Sequence, residues 1–243
     1  MARQLRHLVS PPEPCHYLAG RSMTTESRVM LDVSPDELQR LLELGWRRFG
    51  PIYFRPVCTP CGECVSVRVP VNKFVPSHNM QRVLKRAEHL RLVVSAPVVD
   101  DTRLELHRRW HASREQARDW ESSDLDRDSY SLQFGFPHPS AREFSFYEGD
   151  RLVAVGIADE TPSALSLVYC FHEPSRSELS LGTFNVLKGL EHARRQGLQY
   201  VYLGYRVEGC ASLKYKGRFR PQERLAGRPE LGDAPAWRLY EGE

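Results

Sequence analysis

The pattern of apolar and polar positions predicts a protein that mixes helices with antiparallel strands. Residues 34–45, SPDELQRLLELG, combine an N-cap serine, a proline at the first helical position, a glutamate that completes a capping box and a final glycine, which together predict a helix. Residues 65–71, VSVRVPV, alternate as a half-buried strand does. Residues 78–92, HNMQRVLKRAEHLRL, follow Ser77 and predict a basic helix.

The second half predicts a helix, three antiparallel strands, a helix and a strand. Residues 101–118 form an amphipathic helical pattern, and residues 142–171 predict three short strands joined by turns at 148–150 and 161–163. Residues 199–205 predict a short apolar strand after a helix over 177–197. The apolar face of that helix consists of Leu181, Phe184, Leu187, Leu190 and Ala193. This order is typical of an acetyltransferase-like (GNAT) α+β domain, in which two central strands splay around a cleft for an activated acyl donor.

We therefore expect an α+β protein of two domains, for which 243 residues are sufficient. A small N-terminal α+β domain, residues 1–95, would hold a cysteine cluster and the basic helix, and a GNAT-like transferase domain would cover residues 96–243. The first residues lack a continuous apolar segment, and no run approaches the roughly 18 apolar residues of a membrane span. A soluble cytoplasmic protein with no membrane partner is expected.

Three cysteines, Cys58, Cys61 and Cys64, stand within seven residues, and Cys15 lies far upstream. Thiols this dense in a chain without an export signal are typical of a metal site or of cysteines kept reduced. Four thiolates can bind zinc or ligate an iron–sulfur cluster, although zinc sites usually contain two separate CxxC pairs. The alternatives are a metal site formed by all four cysteines and a buried thiol cluster that only packs.

Positive charge is concentrated in two stretches, although the net charge is only +3. Residues 68–91 carry six basic residues against one acid, and residues 206–228 carry seven against two. Two basic patches on a nearly neutral chain predict a polyanionic ligand, with solvated faces that bind nothing as the alternative.

The start of the 177–197 helix argues against coenzyme A as the acyl donor. A GNAT enzyme holds the pyrophosphate on backbone amides of a glycine-rich loop at a helix start. Here the segment from Arg176 has one glycine, Gly182, where two are wanted, and Glu178 would repel a phosphate. Another activated acyl donor is expected in the cleft.

Longer motifs resemble a known family. GWRRFGPIYFRP, the cysteine loop, SVRVPV and a basic helix ending in VLKR resemble the N-terminal domain of aminoacyl-tRNA–protein transferases. LVYCFHEP, SLGTFNVLKGLEHARRQGLQYVYLGY and GCASLKYKGRFRPQE resemble their C-terminal domain. The length without insertions resembles the bacterial aspartate/glutamate leucyltransferase branch. The resemblance implies transfer of leucine from Leu-tRNA to the N-terminal amine of proteins that begin with Asp or Glu, which marks them for degradation.

Three alternatives remain open: the same transfer from Arg-tRNA, an acyl-CoA N-acyltransferase, and a non-catalytic, metal-dependent RNA-binding or redox-sensing protein. Transfer itself requires no cofactor, because the ester is already activated and an α-amine with a pKa of about 7.7–8.0 is partly neutral at pH 7. Zinc or an iron–sulfur cluster at the cysteines is the cofactor that the sequence leaves open.

The candidate site residues follow from this chemistry. Arginine offers a fork that matches a carboxylate, and a basic run with interleaved aromatic rings suits tRNA phosphates and a terminal adenosine. The candidates for binding the acidic acceptor are Arg68, Lys85 and Arg86, and those for tRNA are Lys214, Tyr215, Arg218, Phe219 and Arg220, with core packing of either ring as the alternative. An oxyanion donor and a proton route could come from Tyr169, Tyr205 and Lys216, while Asp159 and Glu173 could hold the donor's ammonium or accept a proton.

Overall fold

The computed structural model describes residues 2–118 and 125–240, with helices and sheets mixed along the chain. The strands are β1 (Arg3–Val9), β2 (Glu13–Pro14), β3 (Ser22–Met23), β4 (Thr25–Leu31), β5 (Arg47–Phe49), β6 (Ile52–Pro56), β7 (Val65–Pro70), β8 (Arg91–Ser95), β9 (Ala141–Glu148), β10 (Arg151–Glu160), β11 (Ala164–His172), β12 (Tyr200–Arg206), β13 (Gln222–Leu225) and β14 (Trp237–Tyr240). The α-helices are α1 (Pro35–Glu43), α2 (His78–Arg86), α3 (Asp101–Arg118), α4 (Arg127–Gln133) and α5 (Leu181–Arg195), and 3₁₀ turns cover Pro174–Leu179 and Lys214–Arg218.

A large sheet forms the centre of the molecule. It contains eight strands in the order β14-β13-β7-β12-β11-β10-β9-β8, and β11 and β12 are parallel. A second sheet has the order β1-β4-β6-β5, and β2 pairs with β3. Helices α2 and α5 pack against each other, and their apolar side chains share a core with strands of the large sheet. The described helices include none that is long and apolar enough to cross a bilayer.

The large sheet takes strands from both halves of the chain. Strand β7 lies between β12 and β13, and β8 pairs with β9. The expected division at residue 95 therefore crosses this sheet. Strand pairing does not measure where a folding unit ends, and the division into residues 1–95 and 96–243 stays a prediction.

Local sequence signals explain several elements. The capping box of α1 is present, because Glu37 N donates to Ser34 Oγ at 3.2 Å and Ser34 N donates to Glu37 Oε2 at 2.9 Å. The expected basic helix over 78–92 is shorter than predicted and ends at Arg86. Its last predicted residues instead join β8, where Leu92 lies opposite Phe146 of β9 and gains a sheet ladder and a core contact.

The parallel pair β11 and β12 separates after a short contact. The strands pair only from Ala164–Tyr200 to Ser166–Tyr202. Beside the point of separation, Arg47 of β5 donates hydrogen bonds to Ser166 Oγ at 3.1 Å and to the Leu167 carbonyl at 2.5 Å. The guanidinium of Arg47 thereby links the smaller sheet to the edge of the opening.

Gly204 lets β12 pass close to this guanidinium. Its φ angle is +79°, in the left-handed region, and a Cβ atom there would lie 3.2 Å from Arg47 Cζ and 3.3 Å from Nη2. The pairing of β12 with β7 also changes register between Tyr202 and Gly204, which leaves an irregular strand at this position. Glycine is therefore required both for its backbone conformation and for the space that Arg47 occupies.

We expect Gly204→Ala to lower the free energy of unfolding by about 1–3 kcal/mol, because an L-residue is strained at this φ angle and its methyl group would press on Arg47. Urea denaturation of the wild type and the variant measures the change. Gly232→Ala is the matched control, since a Cβ at Gly232 meets no atom within 4 Å and the backbone is not left-handed. Equal effects of the two substitutions would contradict this account of Gly204.

Candidate active site

Where β11 and β12 separate, the sheet opens into a cavity of about 670 Å³. Its walls come from β5, β6, β11, β12, α3, the start of α5 and the segment around residues 211–216. The basic side chains in the wall are Arg47, Arg48, Arg114, His172 and Lys216, and the aromatic ones are Tyr17, Phe49, Phe54, Trp110, Tyr169, Tyr205 and Tyr215. Among the described residues that line the cavity, none is Asp or Glu. The cavity is therefore suited to an anionic or apolar group.

The three predicted catalytic residues, Tyr169, Tyr205 and Lys216, all line this cavity. Tyr205 contributes its backbone, because its carbonyl accepts a hydrogen bond from Lys216 Nζ at 2.9 Å. Its hydroxyl points elsewhere and donates to the Gly45 carbonyl at 2.8 Å. Tyr205 thus positions Lys216 and ties β12 to the chain that precedes β5.

Lys216 is the best-placed proton acceptor in the wall. Burial lowers the pKa of its amine to about 7, and the positive charge of Arg47 acts in the same direction. A pKa in this range lets a substantial fraction of the amine be neutral at pH 7, as suits a general base. Burial lowers the pKa of His172 to about 4, which makes that imidazole a weaker base.

Tyr169 is a candidate hydrogen-bond donor. Its ring stacks on Phe134 at a centroid distance of 5.1 Å and meets Trp110 edge to face at 5.6 Å. Burial raises the pKa of its phenol, so the O–H group stays protonated at neutral pH. A protonated phenol fixed by packing can donate to a developing oxyanion.

The two predicted carboxylates lie outside the described cavity lining. Asp159 is 1% exposed, and Arg48 holds it with two hydrogen bonds, one of which joins Nε to Oδ2 at 3.0 Å. Glu173 lies 2.7 Å from Arg151 and 3.4 Å from Arg109. Burial would raise the pKa of Glu173, but these arginines outweigh burial and leave it below its usual value. Both carboxylates are neutralised within the protein.

The predicted acceptor-binding residues also lie away from the cavity lining. Arg68 pairs with Glu223 at 2.7 Å, and its guanidinium stacks 3.7 Å from the ring centre of Tyr200. Lys85 and Arg86 are exposed in the last turn of α2. These surroundings favour a structural role for Arg68 and surface positions for the other two.

The predicted tRNA-binding residues divide into two groups. Lys214, Arg218 and Arg220 are exposed, whereas Tyr215 lines the cavity. Phe219 is 1% exposed, and its ring lies 6.2 Å from that of Phe74. Phe219 is a core residue, the alternative that the sequence left open, and its ring has no free face for a base.

The cysteine cluster is not confirmed as a metal site. Cys64 interacts electrostatically with Cys15, Cys58 and Cys61, and burial together with these neighbours raises its pKa to about 12. Within residues 2–118 and 125–240, no three His, Cys, Asp or Glu side chains are arranged to hold one metal ion. A metal at these cysteines stays a prediction, and no catalytic step is assigned to one.

The sequence prediction of a metal at the cysteines has a direct test. It implies that Cys61→Ser lowers the zinc or iron content of the purified protein, because a tetrahedral site loses one of its four ligands. Elemental analysis of both proteins, purified without added metal, measures this. Equal metal content in the two samples would contradict the prediction.

Arg47 is the main site residue that the sequence reasoning did not single out. It belongs to the GWRR motif, which contributed to the resemblance but received no role. A pair of arginines inside a short strand with buried neighbours was the available signal, because buried charges require a compensating group. The partner of each arginine lies more than a hundred residues away in sequence, so the pattern alone did not assign them.

Comparison with known proteins identifies the family. The models described as arginine-tRNA-protein transferase, N terminus and C terminus, match residues 13–82 and 102–226. A Helicobacter hepaticus protein named aspartate/glutamate leucyltransferase is 31% identical over 240 residues, which cover 98% of this chain and 100% of the relative. A Pseudomonas putida protein of the same name is 36% identical over 226 residues, covering 91% of this chain and 94% of the relative. The chain belongs to the arginine-tRNA-protein transferase family, which confirms the resemblance.

Similarity to solved structures is weaker. The C-terminal domain of a putative lysylphosphatidylglycerol synthetase from Agrobacterium fabrum gives a TM-score of 0.45 at 15% identity, covering 72% of this chain and 52% of that one. A likeness at this level supports no conclusion about function.

We expect the amine of Lys216 to titrate near pH 7, being charged below this pH and neutral above it. NMR titration of ¹³C-labelled lysine side chains measures the midpoint, and Lys216→Met identifies the resonance by its loss. Arg47→Met should move the midpoint upward, because a neighbouring positive charge is removed. A midpoint near the usual lysine value of about 10.4 in the wild type would contradict the assignment.

Proposed function

We propose that this protein transfers leucine from leucyl-tRNA to the N-terminal amine of proteins that begin with Asp or Glu. The cavity between β11 and β12 carries the proposal, because it joins Lys216, Tyr169 and Arg47 and its described lining contains no acidic residue. Family membership and the names of the two relatives support the same reaction. The added leucine would mark the acceptor for degradation, as the resemblance implies.

The proposed chemistry uses few groups. The neutral acceptor amine attacks the ester carbonyl carbon of leucyl-tRNA, and a C–N bond forms as the carbonyl oxygen gains negative charge. Tyr169 donates a hydrogen bond to that oxygen. Neutral Lys216 takes a proton from the attacking nitrogen and returns it to the ribose oxygen as the C–O bond breaks. The products are an amide and a free tRNA hydroxyl, and Lys216 ends in its starting state.

Two features of Lys216 support this role. One of its N–H groups is directed to the Tyr205 carbonyl at 2.9 Å, which fixes the orientation of the amine. In the neutral form, the nitrogen lone pair remains available for a proton. Positioning of amine and ester supplies the rest of the rate enhancement, because the ester needs no further activation.

The cavity favours leucine over arginine as the transferred residue. Apolar side chains such as Phe49, Phe54, Leu167 and Leu203 line the wall and can surround an isobutyl group. An arginine side chain would require a carboxylate, and the two candidates, Asp159 and Glu173, are already paired with arginines of the protein. A second cation beside Arg47 would add repulsion.

The splayed strands support a GNAT-like arrangement, but coenzyme A as donor has less support. The start of α5 lines the cavity through Ser180, Leu181 and Gly182. A Cβ atom at Gly182 would meet no atom within 4 Å, so glycine is not needed there for a close packing contact within the protein. The second glycine of a pyrophosphate loop is absent from this position of the sequence.

The basic segment beside the cavity is proposed as the tRNA-binding surface. Lys214, Arg218 and Arg220 are exposed in or just after the 3₁₀ turn that carries Lys216. Phosphates bound there would bring the acceptor end of tRNA toward Tyr215 in the cavity wall. Tyr215 is the remaining candidate for stacking on the terminal adenosine.

A transfer assay tests the proposed function. Purified protein is incubated with labelled Leu-tRNA or Arg-tRNA and a peptide that begins with Asp, and label is expected in the peptide from Leu-tRNA. Absence of labelled peptide with both donors would overturn the transferase proposal. Acylation of the peptide from acetyl-CoA without tRNA would support the acyl-CoA alternative instead.

We expect the double substitution Lys214→Gln and Arg218→Gln to weaken binding of Leu-tRNA and to leave kcat at saturating tRNA unchanged. The slope of log affinity against log salt should fall by about one for each lost phosphate contact. Filter binding at several salt concentrations measures both effects. Arg3→Gln serves as the control. It removes one positive charge at an exposed position in β1 of the smaller sheet, as each of the two substitutions does in the basic segment. An unchanged salt slope in the double variant would exclude these residues from the tRNA interface.

A further inference from the structure

We propose that Arg47 binds the acidic side chain of the acceptor's first residue and so selects Asp and Glu. This inference rests on the proposed function and deepens it, because it names the residue that distinguishes acidic from neutral N-termini. Arg68, Lys85 and Arg86, which the sequence favoured for this task, lie outside the described cavity lining.

Arg47 differs from the other buried arginines of the described chain. Arg48, Arg55 and Arg103 each have a carboxylate at hydrogen-bond distance: Asp159 at 3.0 Å, Glu26 at 2.7 Å and Glu143 at 2.7 Å respectively. Arg47 is just as buried, at 8% exposure, yet its hydrogen bonds go to the neutral oxygens of Ser166 and Leu167. No carboxylate in the parts of the chain that the structure describes forms an ion pair with it.

A buried cation without a counter-ion is unfavourable, and a ligand that brings a carboxylate relieves this. A guanidinium has five N–H groups, of which two are directed to Ser166 and Leu167, so three remain. Arginine can bind a carboxylate with two parallel hydrogen bonds, so an acidic side chain binds to it more tightly than the corresponding amide does. Burial also lowers the pKa of Arg47, and the more distant Asp159, which forms its ion pair with Arg48, offsets this only in part.

The position of Arg47 fits the reacting amine of the same substrate residue. Gly204 lies against the Arg47 guanidinium, and the carbonyl of the next residue, Tyr205, holds Lys216 Nζ. The two basic side chains therefore flank adjacent residues of β12. In Asp or Glu, the α-amine and the side-chain carboxylate are only a few bonds apart. One residue can therefore present its amine to Lys216 and its carboxylate to Arg47.

The depth of Arg47 favours a carboxylate over a tRNA phosphate. The residue is 8% exposed, and its guanidinium is held by Ser166 and Leu167 where the two strands separate. A short side chain at the end of a peptide can reach such a position. The exposed residues Lys214 and Arg218 are better placed for phosphates of a folded nucleic acid.

The test compares two peptides that differ only in their first residue, Asp or its neutral isostere Asn, at saturating Leu-tRNA. We expect wild-type kcat/KM to favour the Asp peptide by about 100-fold or more, the usual consequence of leaving a buried charge unpaired. Arg47→Gln should bring the Asp-to-Asn ratio of kcat/KM close to one, beyond any common loss that both peptides share because Lys216 titrates at higher pH without Arg47. Ser166→Ala is the matched control, because it removes a hydrogen bond to Arg47 and keeps the cation, and it should retain most of the preference.

Several outcomes would overturn the inference. Equal losses for the two peptides in a folded Arg47→Gln protein would show a purely structural role. A raised KM for Leu-tRNA with an intact Asp preference would indicate a phosphate ligand instead. If Arg47→Gln does not fold, Arg47→Lys keeps the charge without the fork and should reduce the Asp preference about 10-fold, and an unchanged preference would contradict the proposal.

A binding measurement separates this inference from the proposed function. Fluorescence anisotropy of labelled Asp and Asn peptides reports recognition without any transfer. If the wild type binds the Asp peptide more tightly and Arg47→Gln does not, Arg47 recognises the carboxylate even when no leucine is transferred. Equal binding of the two peptides to the wild type would overturn the inference while leaving leucine transfer open to its own assay.

Discussion

The contact of Arg47 with the edges of the opened sheet determines the geometry of the whole site. Arg47 and Arg48, which follow each other in β5, both bond to strands of the larger sheet. Arg47 reaches the point where β11 and β12 separate, and Arg48 reaches Asp159 at the end of β10. The smaller sheet is thereby attached to the larger one at two places across the cavity wall. The site is formed by both sheets together and depends on charges that are buried at their junction.

These buried charges also set the chemistry of the cavity. Arg48 and Asp159 neutralise each other, whereas Arg47 contributes a positive field that favours the neutral form of Lys216. Burial is the larger cause of the low Lys216 pKa, and the neighbouring cation adds to it. The proposed base for the acceptor amine and the proposed cation for its side chain are therefore consequences of the same local arrangement. An acidic substrate would partly offset the field of Arg47 as it binds.

Local signals predicted much of the fold, and long-range contacts account for what was missed. The capping residues of α1 lie within a few positions of one another, and so do the residues of the apolar face of α5. The structure confirms both helices. Strand β1 escaped prediction because all seven of its residues are exposed, so no apolar alternation marks it. The basic helix was extended too far because Leu90 continues the spacing of Val83 and Ala87, whereas the chain enters β8 at Arg91 and pairs there with β9.

The sequence predicted which residues line the candidate site better than it predicted which side chains form ion pairs with one another. Tyr169, Tyr205 and Lys216 all line one cavity. They lie on the two strands that separate, β11 and β12, and on the basic segment beside them, and all three elements border the opening. Arg68 looked available for a ligand since its partner, Glu223, follows 155 residues later. Asp159 looked free for the same reason, as Arg48 is 111 residues away. Sequence separation of this size hides an ion pair from any local pattern.

The central place of β7 has a consequence for how the chain folds. Val69 of β7 pairs with Val201, and Arg68 lies opposite both Tyr202 and Glu223, so the middle of the large sheet joins an early segment to very late ones. Contacts over such separations make folding slow, because long loops must close before they are stabilised. During synthesis, β7 therefore cannot form its hydrogen bonds with β12 and β13 until most of the remaining chain has left the ribosome.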